Sequence, residues 1–537
     1  MRSFILLLSW FSLPVFGQLS QVWVADQGDG TYQNPILHAD YSDPDVIRVG
    51  SDFYLVSSSF NSAPGLPILH SKDLVNWSII SHALPKLVPM DHFSIPKHGQ
   101  GVWAPSLRFH QGLFYLFYPD PDFGIYMITA THPKGPWSKP HLVKAGKGLI
   151  DPCPLWDSDG KAYLTFALAG SRAGQKSILL VAEMSPDGQS LDENTVLVWD
   201  GHAEHPTVEG PKFYKREGHY YISAPAGGVS TGWQLILRAK NPFGPYESKV
   251  VLAQGPTSIN GPHQGAWVDT PRGEWWFLHF QDKGLYGRIV HLQPMSWKND
   301  WPQIGEDPDG DGVGQPVLRW KKPEVGSHYP RKTPAESDEF NEPKIGLQWQ
   351  WPANPQLTFG FPTAQGYFFQ STHEMAKETT NLYDFPNILL QKFPAPTFQA
   401  TMKVSVHPNP KLDTEQWGLM ITGFRYAWLG MVHRKGKKYL VYQEALEAKA
   451  GKVPRETILG EWNHETVYWR VQVKEGGLCR FSYSHDNEIF HPVNEPIFQA
   501  TEGQWVGAQL GFFAARSEKT NDAGYMKVDW FRVEKLD

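Results

Sequence analysis

The sequence predicts an all-β protein in two parts, a five-bladed β-propeller followed by a β-sandwich of the jelly-roll kind. Three observations lead there. A glycine precedes an aromatic-rich strand five times: Gly50 before Phe53-Tyr54-Leu55, Gly112 before Phe114-Tyr115-Leu116, Gly160 before Ala162-Tyr163-Leu164, Gly218 before Tyr220-Tyr221-Ile222 and Gly273 before Trp275-Trp276-Phe277. The aligned positions 54, 115, 163, 221 and 276 recur at intervals of 61, 48, 58 and 55 residues, the spacing of blades built from four short strands. Between Asn34 and about Arg319, short apolar or alternating segments are separated by Gly, Pro, Asp and Asn turns, with no helical periodicity. Beyond Asp338 the fifty-residue repeat stops, yet strict alternation continues in Phe398–Val404, Val467–Val473 and Lys527–Val533, as two facing sheets require.

The elements follow in order. Residues 1–17 read as a secretory signal peptide: a basic start at Arg2, an apolar run from Phe4 to Phe16, and small residues at Val15 and Gly17 before the expected cut. The run is too short to span a bilayer, so an exported protein, periplasmic or secreted, is expected. Residues 18–325 form the propeller. Residues 326–336, in a stretch marked by Pro323, Pro330 and Pro334, form a linker. Residues 337–537 form the sandwich. With 537 residues the chain is long enough for two hydrophobic cores. A net charge of −6 and the lack of any basic stripe exclude nucleic acid as a partner. The 22 Trp and 21 Tyr are mostly core, and they also suit sugar binding, because each ring has a flat apolar face and a polar edge. Two cysteines, Cys153 and Cys479, lie in different halves of the chain and predict no structural disulfide.

The repeat has chemical content. Asp43, Trp103, Asp151, Glu209 and His263 lie 11, 12, 12, 12 and 13 residues before the aligned aromatic positions. Equivalent positions on the innermost strand of each blade surround the axis, so three carboxylates far apart in sequence are expected in one pocket. A lone acid is usually a turn or cap residue; three in one phase suggest a catalytic site.

The five segments Ser42-Asp43-Pro44-Asp45, Trp103-Ala104-Pro105-Ser106, Ile150-Asp151-Pro152, Val208-Glu209-Gly210-Pro211 and Gly261-Pro262-His263-Gln264 resemble those of glycoside hydrolase family 43. That family comprises five-bladed propellers and includes β-xylosidases and α-L-arabinofuranosidases. The likeness extends through Asn34-Pro35-Ile36-Leu37, Tyr54 to Phe60 and His70 to Trp77. Asp338-Glu339-Phe340-Asn341 and Leu347 to Trp351 are similar to the start of the concanavalin-like sandwich that follows the propeller in its xylosidase-like members.

The resemblance implies an inverting hydrolase with Asp43 as general base, Glu209 as general acid and Asp151 as the carboxylate that orients the acid. A neighbouring negative charge disfavours ionisation and would help Glu209 stay protonated. It also implies that Phe60 and Trp103 meet the bound sugar, that Arg288 reaches the site, and that His263 lines the pocket and holds a calcium ion, directly or through water. No organic cofactor is implied. Asp40 and Asp45, which flank the base, read as structural. Calcium prefers oxygen ligands, so a water-mediated shell is expected at His263. A second, structural calcium in the sandwich would involve Asp338 or Glu339 with Asp529. Asp307-Pro308-Asp309-Gly310-Asp311-Gly312 imitates an EF-hand start but has Leu318 at the twelfth position, and reads as a turn.

The function expected is exo-acting release of terminal α-L-arabinofuranosyl or β-D-xylosyl units from plant cell-wall glycans such as xylan or arabinan, or from their oligosaccharides. The residues do not choose between the two sugars, and the loop from Lys86 to Gly101 departs from the family's xylosidases. The competing expectation is a non-catalytic, lectin-like propeller, which would have no use for separate acid and base groups.

Overall fold

A computed structural model describes residues 19–373 and 381–536; the signal peptide expected over residues 1–17 lies outside the described residues. Among these, five four-stranded antiparallel sheets follow one another along the chain, from Asp45 through Leu84, Ser106 through Ala145, Leu149 through Asp200, Lys212 through Ala253 and His263 through Ile304. These are blades I to V, and in each the strands pair in chain order. The first strands of blades V, I, II, III and IV touch in that succession around the axis. The repeated aromatic segments are the second strands.

The repeated glycines have one shared reason. Gly50, Gly112, Gly160, Gly218 and Gly273 all have φ between 64° and 87°, at the turn from first to second strand. A Cβ on any of them would meet nothing within 4 Å, so backbone conformation and not space selects glycine. In blades II and IV the turn is two residues, Gln111-Gly112 and Glu217-Gly218, with both φ values positive. That is the twist a tight hairpin needs.

Ring closure is made by the segment before blade I. The Asn34 amide donates to the carbonyls of Leu292 and Val317 at 2.8 Å, and accepts from the Leu292 N–H at 2.8 Å. Leu37 and Val290 exchange backbone hydrogen bonds. The N-terminal segment is thereby fastened to the third strand of blade V, Arg288–Lys298.

Below the entrance to the axis lies a buried charged plug. Asp45 is fully buried; it accepts from the Leu107 N–H and from Arg108, both at 2.7 Å, and faces Lys212 at 3.9 Å. Lys212 donates to the Pro105 carbonyl and the Ser106 hydroxyl, while Arg108 reaches the Cys153 sulfur at 2.8 Å. These residues come from the first strands of four blades. Asp45 is thus structural, as the sequence indicates, and Cys153 and Cys479 are both free and buried.

The second part stacks an eight-stranded sheet on a six-stranded one among the described residues. The three alternating segments seen in sequence are neighbours: Phe398–His407 lies between Thr466–Lys474 and Tyr525–Glu534. Burial alternates residue by residue along most of Thr466–Lys474, which places Val467, Trp469, Val471 and Val473 in a core with Trp349, Trp417 and Phe512. The sandwich acids expected to share calcium are each engaged by other partners. Asp338 accepts from the N–H groups of Phe340, Gly346 and Trp349, Glu339 pairs with Arg532 and Asp529 with Lys403.

The linker lies on the molecule. Ser20 bonds Glu336, and the Lys332 N–H bonds Asn76 of blade I. Farther on, Ala63 and Trp351 exchange backbone hydrogen bonds and Asn354 bonds both backbone groups of Leu87, so the two parts share a fixed seam. Among the described residues no helix is long and apolar enough to cross a membrane.

The plug gives a stability prediction. Asp45→Asn leaves Arg108 and Lys212 buried against a neutral amide and should destabilise the propeller by about 3–5 kcal/mol, measured by chemical denaturation followed through its tryptophans. A loss below about 1 kcal/mol would show that the plug contributes little net stability.

Candidate active site

The five in-phase residues stand where the chain bends into the inner strands. Asp43, Trp103 and Glu209 lie two or three residues before their blades' first strands, Asp151 is the third residue of Leu149–Trp156, and His263 opens His263–Asp269. The bends are strained in a common way: φ is 55° at Asp43, 58° at Asp151, 59° at Gly210 and 35° at Gln264. Left-handed backbone at non-glycine residues is uncommon and concentrates at functional sites. Here it turns side chains toward the axis at the mouth of the propeller.

Together they line one pocket of about 200 Å³, bounded by Asp43, Phe60, Trp103, Asp151, Glu209, His263, Arg288 and, from the sandwich, Trp505. Every site residue named from the sequence is present in it. Asp43 is 6% exposed; its Oδ2 accepts from the Ser42 and Ser58 hydroxyls at 2.7 Å, and the Arg288 guanidinium is 3.4 Å from both of its oxygens. Arg288 also donates to the Ser42 hydroxyl at 2.8 Å. The carboxylate is therefore held in one orientation with a counter-charge beside it.

Glu209 is the most open of the three acids, its side chain 32% exposed. Its Oε1 lies 3.0 Å from His263 Nε2. Asp151 is 2% exposed and accepts from the Gly210 N–H at 2.8 Å, next to Glu209 in the chain. Burial first, and then the Glu209 charge, push the Asp151 carboxyl up to about 8. Asp151 therefore holds its proton near neutral pH. This direction runs against the charged Asp151 that the resemblance implies. Chemically, the site offers a fixed carboxylate on one side and, on the other, a partly exposed carboxyl beside a buried one.

Phe60 and Trp103 meet edge to face at 6.2 Å. Trp103 is held by its indole N–H on the Gly99 carbonyl and lies under the Arg172 guanidinium. His263 is fully buried, and among the described residues its Nδ1 has no partner, nor has the buried Oε1 of Gln264.

Trp505 was not found from sequence, because the sandwich has no repeat to give it a phase. It is 43% exposed, has φ of 64°, and sits 6.3 Å from Trp103 and 5.9 Å from Arg288. Asp40 fixes its loop. The Asp40 carboxylate accepts from the N–H of Arg288 and from the N–H of Gly507, both at 2.9 Å. A Cβ on Gly287 would lie 2.4 Å from Asp40, and one on Gly507 would lie 2.7 Å from the Gly287 nitrogen. One carboxylate thus ties a base-side arginine to the loop that brings Trp505. Outside the pocket, Asp307, Asp309 and Asp311 bring oxygens within 4.8 Å of one another, but Asp307 already accepts from the Gly310 and Gly312 N–H groups and Asp311 from Val313, as a turn would.

A propeller with three carboxylates converging on a one-ring pocket, walled by aromatic faces, is the architecture of a carbohydrate-cleaving hydrolase. Residues 32–302 match Glycosyl hydrolases family 43, and residues 337–534 match the Beta xylosidase C-terminal Concanavalin A-like domain. The chain belongs to glycoside hydrolase family 43 and is a glycoside hydrolase. A Beta-xylosidase of Formosa agariphila is 33% identical over 558 residues, covering 95% of this chain and 91% of that one. The Non-reducing end alpha-L-arabinofuranosidase BoGH43B of Bacteroides ovatus is 30% identical over 552 residues, covering 96% and 97%. The solved structure of Bacteroides ovatus Xyloglucan PUL GH43B superposes with a TM-score of 0.79 at 28% identity, over 94% of this chain and all of that one.

The paired carboxyls predict a pH profile. With the Asp151 proton required for turnover, kcat/KM should fall above a midpoint of about 8. In Asp151→Asn, whose side chain does not titrate, that descending limb should disappear. An unmoved limb would separate Asp151 from the acid.

Proposed function

We propose that the enzyme is an exo-acting, inverting glycosidase that removes terminal β-D-xylosyl or α-L-arabinofuranosyl units from plant cell-wall glycans or their oligosaccharides. The observation that carries this is the pocket itself. It is smaller than the roughly 300–1,000 Å³ of drug-sized ligand sites, is lined by all three acids, and places Asp43 and Glu209 in different surroundings.

In this reading Asp43, oriented by Ser42, Ser58 and Arg288, takes a proton from the water that attacks the anomeric carbon. Glu209 gives its proton to the glycosidic oxygen as the bond from that oxygen to the anomeric carbon breaks. Asp151 aligns Glu209 through the Gly210 N–H. Phe60, Trp103 and Trp505 hold the sugar by its apolar faces. The two pentoses are those named for the relatives, and the lectin-like alternative finds no support among them. Export through the N-terminal leader would bring the enzyme to glycans outside the cytoplasm.

A calcium ion at the axis remains part of the proposal. In the tautomer that donates from Nε2 to Glu209, His263 keeps a lone pair on its buried Nδ1 that has no partner among the described residues, and the buried Gln264 Oε1 is a second acceptor. The donor set fits a hydrated ion, with water supplying most of the oxygen ligands calcium prefers. Such an ion would hold His263 and offset clustered negative charge. Adding calcium to chelator-treated enzyme should raise its melting temperature, and His263→Ala should abolish the rise; no rise in the parent enzyme excludes the ion.

The central test uses aryl α-L-arabinofuranoside and aryl β-D-xyloside with product anomers followed by NMR. Asp43→Ala and Glu209→Ala should each lose at least about 100-fold in kcat, and the first product should carry the inverted configuration. Parent-like turnover in both variants, or a retained anomer, would defeat the mechanism.

A further inference from the structure

The first strands of the five blades begin beside the acids and run away from them, so their C-terminal ends meet at the opposite end of the axis, beyond the Asp45 plug. A cavity of about 380 Å³ lies there, and every blade contributes to its lining. No residue lines both this cavity and the axial pocket. We propose that the cavity is a second saccharide-binding site, one that takes a uronic acid unit of a glycan and has no part in the cleavage reaction.

Its volume falls within the roughly 300–1,000 Å³ of small-molecule sites, and its wall is aromatic. Phe109, Trp156, Tyr214, Trp267 and Trp275 all line it. Phe109 is 42% exposed, with its ring 4.8 Å from that of Phe114. The Trp156 indole N–H donates to the Pro186 carbonyl at 2.7 Å, and the His110 ring stacks on Trp156 at 4.8 Å, within 11° of parallel. Tyr214 lies 4.2 Å from Trp267. Flat rings held in place offer the apolar surface against which a pyranose packs.

The charge of the lining selects among sugars. It holds Arg48, Arg108, Lys215 and Arg216 against one acid, Asp269. Three of the cations are already engaged: Arg48 donates to Asp269 at 2.5 Å, Arg108 to Asp45 at 2.7 Å, and Lys215 to Asp157. Arg216 differs. Its nearest carboxylates, Asp300 and Glu217, are 3.8 Å and 3.9 Å away, beyond hydrogen-bonding distance. The guanidinium rests over the Trp297 ring at 4.3 Å, which holds it without using its N–H groups. Among the described residues it makes no hydrogen bond, and neither do the His110 ring or the indole N–H groups of Trp267 and Trp275. A guanidinium fork matches a carboxylate in shape and charge, while the ring N–H groups suit sugar hydroxyls. A neutral sugar would leave Arg216 unused, and a bare anion would leave the rings unused. A uronic acid uses both.

The test measures binding without turnover, so it stands or falls separately from the glycosidase reading. Asp43→Ala enzyme is titrated calorimetrically with a glucuronic acid-substituted xylo-oligosaccharide and with the unsubstituted oligosaccharide of the same length. The titrations are repeated with Arg216→Gln or Phe109→Ala added, and melting temperatures near that of the Asp43→Ala enzyme establish that both variants fold. The acidic ligand should bind at least about tenfold more tightly than the neutral one, and raising the salt concentration should erode that preference. Arg216→Gln should bring the two ligands to about parity. Phe109→Ala should weaken the acidic ligand about fivefold and leave the neutral one unchanged. Equal affinity for the two ligands, or a preference that survives Arg216→Gln, would overturn the site. Displacement of the acidic ligand by an equal concentration of inorganic phosphate would reveal an anion site without sugar recognition, and would overturn it as well.

Discussion

Closing five sheets around one axis forces the first strands together, and whatever side chains those strands carry inward must share a narrow, nearly dry volume. Burying charge there is expensive unless each group is paired and hydrogen-bonded. The Asp45, Arg108 and Lys212 plug meets that condition with groups from different blades, so each blade's position depends on the others. The acids above the plug inherit this rigidity. Their oxygens are already held by Ser42, Ser58, Arg288, Gly210 and His263, and little reorganisation is needed when substrate arrives.

The same crowding sets the chemistry apart from the strands themselves. Left-handed residues at Asp43 and Asp151 aim carboxyls outward from the plug, toward the mouth, where Glu209 retains some contact with water. Depth then differentiates chemically similar groups. Asp151, deepest of the three, is pushed up to about 8 by burial, while Asp43 has an arginine beside it. Environment, not residue type, distributes the roles.

Much of this was legible in the sequence because a propeller repeats. The recurring glycines mark hairpins that need positive φ, and the constant offset from them to Asp43, Trp103, Asp151, Glu209 and His263 marks the bends into the inner strands. Strand alternation likewise located three neighbouring sandwich strands. What lacked a period was hidden. Trp505 belongs to a loop whose neighbours give no phase, Asp40 looked like a spare acid beside the base, and nothing in the spacing told that Arg108 and Lys212 point into the core. The upward push on the Asp151 carboxyl depends on burial, which spacing does not encode.

The hydrogen bond from Gly507 to Asp40 joins residues 467 positions apart in the chain. Closing so long a loop has a large entropic cost, although that cost grows only logarithmically with length, and it is met only after both the propeller and the sandwich have taken shape. The wall bearing Trp505 is therefore among the last parts of the molecule to assemble. A folding chain can complete its ring of blades and bring its acids together while the site still lies open on one side, so catalytic competence is a property of the finished two-domain protein and arrives late in its folding.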